Sequence, residues 1–181
     1  MNKILVVVDM QNDFLSGSLR NQEGQEVIQN VVEKIKKYKK DSQEIYVTMD
    51  THNEEYLETQ EGRFLPVEHC IKGQNGWELD KVIQEELKDY PNIKFFEKPS
   101  FGSIELGEYI KQINKNKKID EIEFIGVCTD ICVISNVVIV KAQVPEVLLT
   151  VDASCCAGVN QRKHEATIEV MKSLQVNIIN G

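Results

Sequence analysis

The sequence predicts an α/β fold, a three-layer αβα arrangement in which six parallel strands form one sheet with helices on both faces. Six short apolar runs rich in Val, Ile and Phe recur along the chain, and segments of helical period separate them. Strand and helix therefore alternate throughout, an order that makes the strands parallel and lays the crossover helices over the sheet. All 181 residues (1–181) are read as one domain, because a chain of this length is near the usual domain size and buries about 70% of its unfolded surface.

The first strand is ILVVVDM (4–10). Ile28, Val31, Val32, Ile35 and Tyr38 then mark one face of a helix, which the basic run KKYKK (36–40) ends as a solvated face. EIYVTMD (44–50) is the second strand. Residues 51–75 follow without a clear period; an irregular stretch of that length in a compact domain usually carries function. Leu79, Val82, Ile83, Leu87 and Tyr90 give the next helical face, followed by the strand IKFFEK (93–98). Leu106, Tyr109, Ile110 and Ile113 repeat the helical spacing before EIEFIGV (121–127). The segment DICVISNVVIVKAQV (130–144) is apolar nearly all round and is expected to be the buried helix. EVLLTVD (146–152), a helix with Thr167, Val170, Met171 and Leu174 on one face, and VNIIN (176–180) complete the pattern.

Composition narrows the function classes. A hydrophobic share of 41% with 28% charged residues belongs to an ordinary globular protein. The net charge of -8 argues against a nucleic-acid partner, which needs a clustered positive field. No run is long enough to span a bilayer and no leader-like apolar region precedes a small-residue cleavage site, so a cytoplasmic location without membrane contact is expected. Five cysteines (Cys70, Cys128, Cys132, Cys155, Cys156) are an odd number without a secretion signal, and free thiols follow.

Ligands of open parallel sheets lie outside the carboxyl ends of the strands. Those ends read Asp9, Asp50, Lys98, the GVCTDIC turn and Asp152, a charged and thiol-bearing rim. Cys132 falls about one turn into the helix that Thr129 and Asp130 are expected to cap, where the helix dipole and free N–H groups favour a thiolate. The same turn supplies main-chain donors for an oxyanion hole. Cysteines of this kind also serve simply as small buried hydrophobes, and Cys70 and the Cys155-Cys156 pair are read that way. The spacing C-x-x-x-C suits neither a redox motif nor a zinc clip.

A cysteine nucleophile needs a base, and only three histidines exist. His164 lies in the charged segment QRKHEATIEV and is read as a surface residue. His52 and His69 belong to another constellation, so the base must be a carboxylate, and Asp9 at the end of a buried strand is the candidate. Desolvation would raise its pKa, while Lys98 would counteract that shift. Taken singly, Asp9 is equally a turn carboxylate and Lys98 a snorkelling lysine. The second constellation is Asp50-x-His52 with His69 further along the same loop, and Glu61 between them. Carboxylate and imidazole groups on one side of a strand end can close one face of a divalent metal site of the zinc, iron or manganese type.

DMQNDF (9–14), Lys98 in EKPSFGS and GVCTDICV (126–133) together resemble the signatures of the isochorismatase-like cysteine hydrolases, across nearly the whole chain. The resemblance implies a triad of Asp9, Lys98 and Cys132 that hydrolyses C–N amide bonds through a thioester. It also implies an oxyanion hole at Cys128 and Cys132, a cis peptide between Val127 and Cys128, and self-association into a homo-oligomer. Isochorismate hydrolases of the same fold lack the cysteine. D-x-H followed by H-C-x-x-G is similar to the nicotinamidase branch, whose metal binds the ring nitrogen of nicotinamide. On that likeness Asp50, His52 and His69 hold a divalent metal, foremost zinc with iron or manganese as alternatives, and Glu61 is a fourth ligand. Phe14 matches the aromatic wall of the pocket, Leu65 stands at a second aromatic position, and Phe101 and Val127 complete the expected lining. The function expected is conversion of nicotinamide to nicotinic acid and ammonia. The alternatives are an amidase for a carbamoyl, ureido or other small amide, and a small-amide-binding protein without turnover.

Overall fold

A computed structural model describes residues 1–181. Six strands, β1 (Lys3–Val8), β2 (Glu44–Asp50), β3 (Ile93–Lys98), β4 (Glu121–Val127), β5 (Leu148–Ala157) and β6 (Asn177–Ile179), form one parallel sheet in the order β3-β2-β1-β4-β5-β6. The chain winds outward from β1 in one direction, then returns to lay β4 on its other side. β1 and β4 therefore flank the point where the winding reverses, and a crevice opens beyond their carboxyl ends.

Side-chain alternation divides the sheet into two cores. Ile4, Val6 and Val8 of β1 face one core with Ile122 and Phe124 of β4, while Leu5 and Val7 face the other with Ile125 and Val127. Helices α3 (Ile28–Lys40) and α5 (Lys81–Leu87) cover the second face, and α6 (Ile104–Asn116), α7 (Ile134–Gln143) and α8 (Gln161–Ser173) cover the first. Each wholly buried Val, Ile or Leu in these layers contributes about 1.5–3 kcal/mol of hydrophobic stabilisation. Four short helices, α1 (Asn12–Leu15), α2 (Gln22–Glu26), a 3-10 turn (Tyr56–Glu58) and α4 (Gln60–Phe64), sit in the loops around the crevice.

Several elements depart from the sequence pattern. The stretch 51–75 contains the 3-10 turn and α4, which begins where the Thr59 hydroxyl accepts from the Gly62 N–H; both are too short to show a period. β1 stops at Val8, so Asp9 leaves the strand with φ 48°, a left-handed conformation that Asp tolerates better than most residues. β5 runs on to Ala157 across a bulge, since Phe124 pairs with Val151 but Gly126 with Cys156. Asp152 consequently lies within β5 rather than on the rim. It holds Lys34 of α3 at 2.7 Å and Asn180 at 3.1 Å. The expected caps Thr129 and Asp130 open a π-helical turn, Thr129–Val133, with no side-chain cap, and α7 starts only at Ile134. One side of α7 is exposed at Val138, as are Val82, Val170 and Leu174, so these helices bury narrower stripes than their spacing implied.

Candidate active site

β4 approaches β1 most closely at Gly126, whose φ is 119°; a Cβ there would lie 2.1 Å from the Val8 carbonyl oxygen. Beyond this contact the chain passes through a cis Val127–Cys128 peptide into the π-helical turn that carries Cys132. Three residues remote in sequence meet here. Lys98 Nζ stands 2.7 Å from Asp9 Oδ2 and 3.6 Å from Cys132 Sγ, and all three residues are buried. Lys98 also donates to the Ser100 carbonyl at 3.0 Å. Asp9 Oδ1 accepts from the Thr48 hydroxyl at 2.7 Å, whereas Oδ2 accepts no aligned hydrogen bond despite its closeness to the ammonium.

Burial dominates the electrostatics. It raises the Asp9 pKa, with the Lys98 charge opposing and the Asp50 charge reinforcing the shift. Burial likewise pushes the Cys132 thiol well above its ordinary value, and the Asp9 charge adds to this. Lys98 goes the other way: desolvation disfavours its cation, yet the negative groups around it outweigh that penalty and keep it protonated. Cys132 therefore rests as a neutral thiol beside the Lys98 ammonium and the Asp9 carboxyl group.

A second cluster adjoins the first. Asp50 Oδ2 lies 3.1 Å from His52 Nε2 and 3.4 Å from His69 Nε2, and one ligating atom from each residue falls within 4.8 Å of the others. Glu61 Oε1 reaches to 3.9 Å from His52 Nε2 and 3.6 Å from His69 Nε2. His69 Nδ1 is 2.9 Å from the Val67 carbonyl, which holds that nitrogen as N–H and turns Nε2 toward the carboxylates. Burial opposes the Asp50 charge, but the two imidazoles and Lys98 hold its carboxyl well below the usual range. Burial and the Asp50 charge raise that of Glu61. The two imidazoles and the Asp50 carboxylate converge closely enough to fit a divalent ion of the zinc, iron or manganese type, while Glu61, expected as a fourth ligand, stands beside the imidazoles outside that group.

Four supporting residues carry roles that their sequence positions did not reveal. Gln11 is wholly buried, accepts from the Asp50 N–H at 2.8 Å and donates to the Asp50 and Trp77 carbonyls. Asp13 accepts from the Cys70 N–H at 2.8 Å, so DMQNDF clamps both the strand and the loop that bear the imidazole cluster. Asn136 donates to the Cys132 carbonyl at 2.8 Å and accepts from the Ser103 N–H at 3.0 Å, tying the Cys132 turn to the segment after Lys98. His164, read as a surface residue, is half-buried with Nδ1 2.8 Å from the Thr129 hydroxyl, and burial lowers its pKa. Only Gln11 and Asp13 left a signal, through the motif they share with Asp9.

A cavity of about 260 Å³ opens between the two clusters. Phe14, Leu65 and Phe101, of the lining the sequence proposed, border it together with Cys128, Cys132, Asp50, Glu61 and His69. Leu19, Ile131 and Val159 complete the wall and were not foreseen. Val127 was expected in this wall but is wholly buried in the core beneath α3, because it is an inward-facing residue of β4. Burial pushes the Cys128 thiol up to about 12 as well, and unlike Cys132 it has no Lys98 contact.

No helix is long and apolar enough to cross a membrane. A family model described as the isochorismatase domain matches residues 3–180. Among curated proteins, the isochorismatase family protein PncA of Bacillus subtilis is 28% identical over 170 residues, 91% of each chain. The nicotinamidase of Saccharomyces cerevisiae is 27% identical over 173 residues, covering 72% of this chain and 77% of its own. Among solved structures, the pyrazinamidase of Pyrococcus horikoshii in complex with zinc superposes with a TM-score of 0.82 at 25% identity, covering all of both chains.

Proposed function

Because the chain belongs to the isochorismatase family, we propose that it is a metal-containing cysteine amidohydrolase that converts nicotinamide to nicotinic acid and ammonia. The observation that carries this reading is the meeting of Asp9 and Lys98 with Cys132, which lines a cavity shared with Asp50, His69 and Glu61, His52 standing beside Asp50. Likeness to the yeast nicotinamidase and to the zinc-bound pyrazinamidase supports it. Asp50, His52 and His69 would hold the divalent metal, which supplies a Lewis acid for the nitrogen of a pyridine ring.

The remaining chemistry belongs to the protein. Asp9 Oδ2 takes the Cys132 proton as sulfur attacks the carboxamide carbon, and Lys98 stabilises the thiolate that develops 3.6 Å away. The C–S bond forms while the carbonyl electron pair moves to oxygen, where the N–H groups of Cys128 and Cys132 receive it. Collapse breaks the C–N bond, and Asp9 gives its proton to the leaving nitrogen, which departs as ammonia. Water then attacks the thioester with Asp9 as base. The second collapse breaks the C–S bond, releases the acid and returns the proton to sulfur.

Ammonia release from nicotinamide tests the proposal. Cys132→Ala should abolish turnover, whereas Cys128→Ala, which keeps its backbone N–H, should retain much of it; comparable activity in Cys132→Ala would refute the mechanism. Release of ammonia from N-carbamoyl compounds but not from nicotinamide would favour the carbamoyl amidase reading instead.

A further inference from the structure

We propose that the open cleft beside the reaction cavity is a subsite for an uncharged apolar substituent on the substrate ring, so that this chain hydrolyses ring-substituted pyridine carboxamides at least as well as the unsubstituted parent. The inference rests on the amidohydrolase reading above and goes beyond it in naming the substrate class.

The argument begins with size. An apolar cavity of roughly 150 Å³ suffices for one benzene ring, so the inner cavity of about 260 Å³ takes a six-membered ring with its carboxamide and little more. Beside it lies a cleft of about 880 Å³. Glu61, Leu65, Phe101 and Ile131 line both spaces, so the two adjoin across these four residues. Two of these dividers are partly open to solvent, Leu65 at 37% and Phe101 at 44%, and Phe64 projects into the cleft at 85% exposure. Apolar surface gathered at the mouth of a site is a recognition surface more often than a neutral one.

Charge then restricts the occupant. His52, Glu61 and Asp130 are the ionisable groups on the cleft wall, and no Lys or Arg joins them. One Asp130 oxygen accepts from the Val159 N–H at 2.8 Å, and the other faces the exposed Lys163 at 3.8 Å. The Thr59 and Ser135 hydroxyls are spent on the Tyr56 and Ile131 carbonyls. A phosphate or carboxylate substituent would meet two acids with no cation, and a hydrogen-bonding one would find few free donors. An alkyl or aryl group covers Phe64, Leu65 and Phe101 without either cost. Carbon 5 of the ring is the natural point of attachment, since the opposite edge must face Cys132 and the carboxylate–imidazole cluster.

The experiment measures kcat/KM of the metal-loaded enzyme for nicotinamide and its 5-methyl, 5-propyl, 5-phenyl and 5-carboxy derivatives. The variants are Leu65→Trp, which narrows the junction, and Phe64→Asp, which changes an exposed side chain and spares the core. For 5-propylnicotinamide KM should fall about 10-fold below that of the parent, the effect of burying part of three added carbons. The 5-carboxy compound should be the poorest substrate. Both variants should reduce the 5-propyl to parent ratio of kcat/KM by about 10-fold. Hydrolysis of nicotinamide with kcat/KM for the 5-propyl and 5-phenyl compounds below that of the parent would overturn the subsite and leave the nicotinamidase reading intact. A ratio unmoved by both variants would also overturn it. Hydrolysis of the substituted amides without that of nicotinamide would support the subsite and overturn nicotinamide as the substrate. Inertness toward the whole panel would overturn both.

Discussion

Lys98 Nζ lies 3.2 Å from Asp50 Oδ1, while the other oxygen of the same carboxylate faces His52 and His69. One side chain thus joins the lysine of the triad to the imidazole cluster. Asp50→Asn should lower metal content, read by elemental analysis, and also lower kcat by more than about 100-fold. His69→Ala should lower metal content while leaving the charge contact at Lys98 in place. If Asp50→Asn with restored metal recovered full kcat, the link to Lys98 would be without catalytic consequence.

The Asp9–Lys98 pair is buried on both sides, and removal of one partner from such a pair costs about 3–5 kcal/mol. Lys98→Met should therefore destabilise the fold by that order in urea titration and abolish activity. Adding Asp9→Asn, which removes the orphaned charge and suits the positive φ, should restore most of the stability and none of the activity. An equally unstable double variant would show that packing, not charge, set the loss.

Thr48 donates to Asp9 Oδ1, a bond that favours the carboxylate and so opposes the burial that raises its pKa above 3.8. Asp9 must be ionised to take the thiol proton, so kcat/KM falls as pH drops through its folded pKa. In Thr48→Val that acid limb should move to higher pH by about one pH unit, the worth of one hydrogen bond to a charged group. A limb that stayed put, or moved down, would remove Asp9 as the base.

Far from the crevice, burial disfavours the Asp152 charge, but Lys34, Ser154 and Asn180 outweigh it and lower its pKa from 3.8; Lys3 and Thr150 do the same for Glu121 from 4.5. A carboxyl with a depressed folded pKa adds stability above its unfolded pKa and loses it as pH falls through the folded value. Asp152→Asn should thus melt below the parent at pH 7, and the gap in Tm should close as pH falls below 3.8. A gap independent of pH would assign Asp152 a packing role only.

Much of the crevice was legible because its residues stand at strand ends or within short motifs. The runs 93–98 and 121–127 are the observed β3 and β4; β4 is a central parallel strand buried on both faces, whereas β3 is an edge strand whose Phe95 stays exposed, and both end in turn residues. Lys98 was legible for the same reason, as a cation closing an apolar run. Asn136 and His164 were not, because one is a lone amide on an otherwise apolar helix and the other a histidine among charged neighbours, and each gains meaning only from the segment opposite it. Val127 was misread because a strand's last residue can point into the pocket or into the core, and only the register with β1 and β5 decides which.

Order along the chain, by itself, determined the layers, the parallel sheet and the residue types on its rim, because burial and hydrogen bonding impose periods of 2 and 3.6 that amino-acid choice must follow. Distances were decided by the folded chain alone. Asp9, Asp50, Lys98 and Cys132 are separated by dozens of residues, and they meet because β4 returns to lie beside β1 while β2 and β3 extend the other side. Charges that would be solvated and independent in an unfolded chain are there forced into one dry pocket, where each sets the proton affinity of the next.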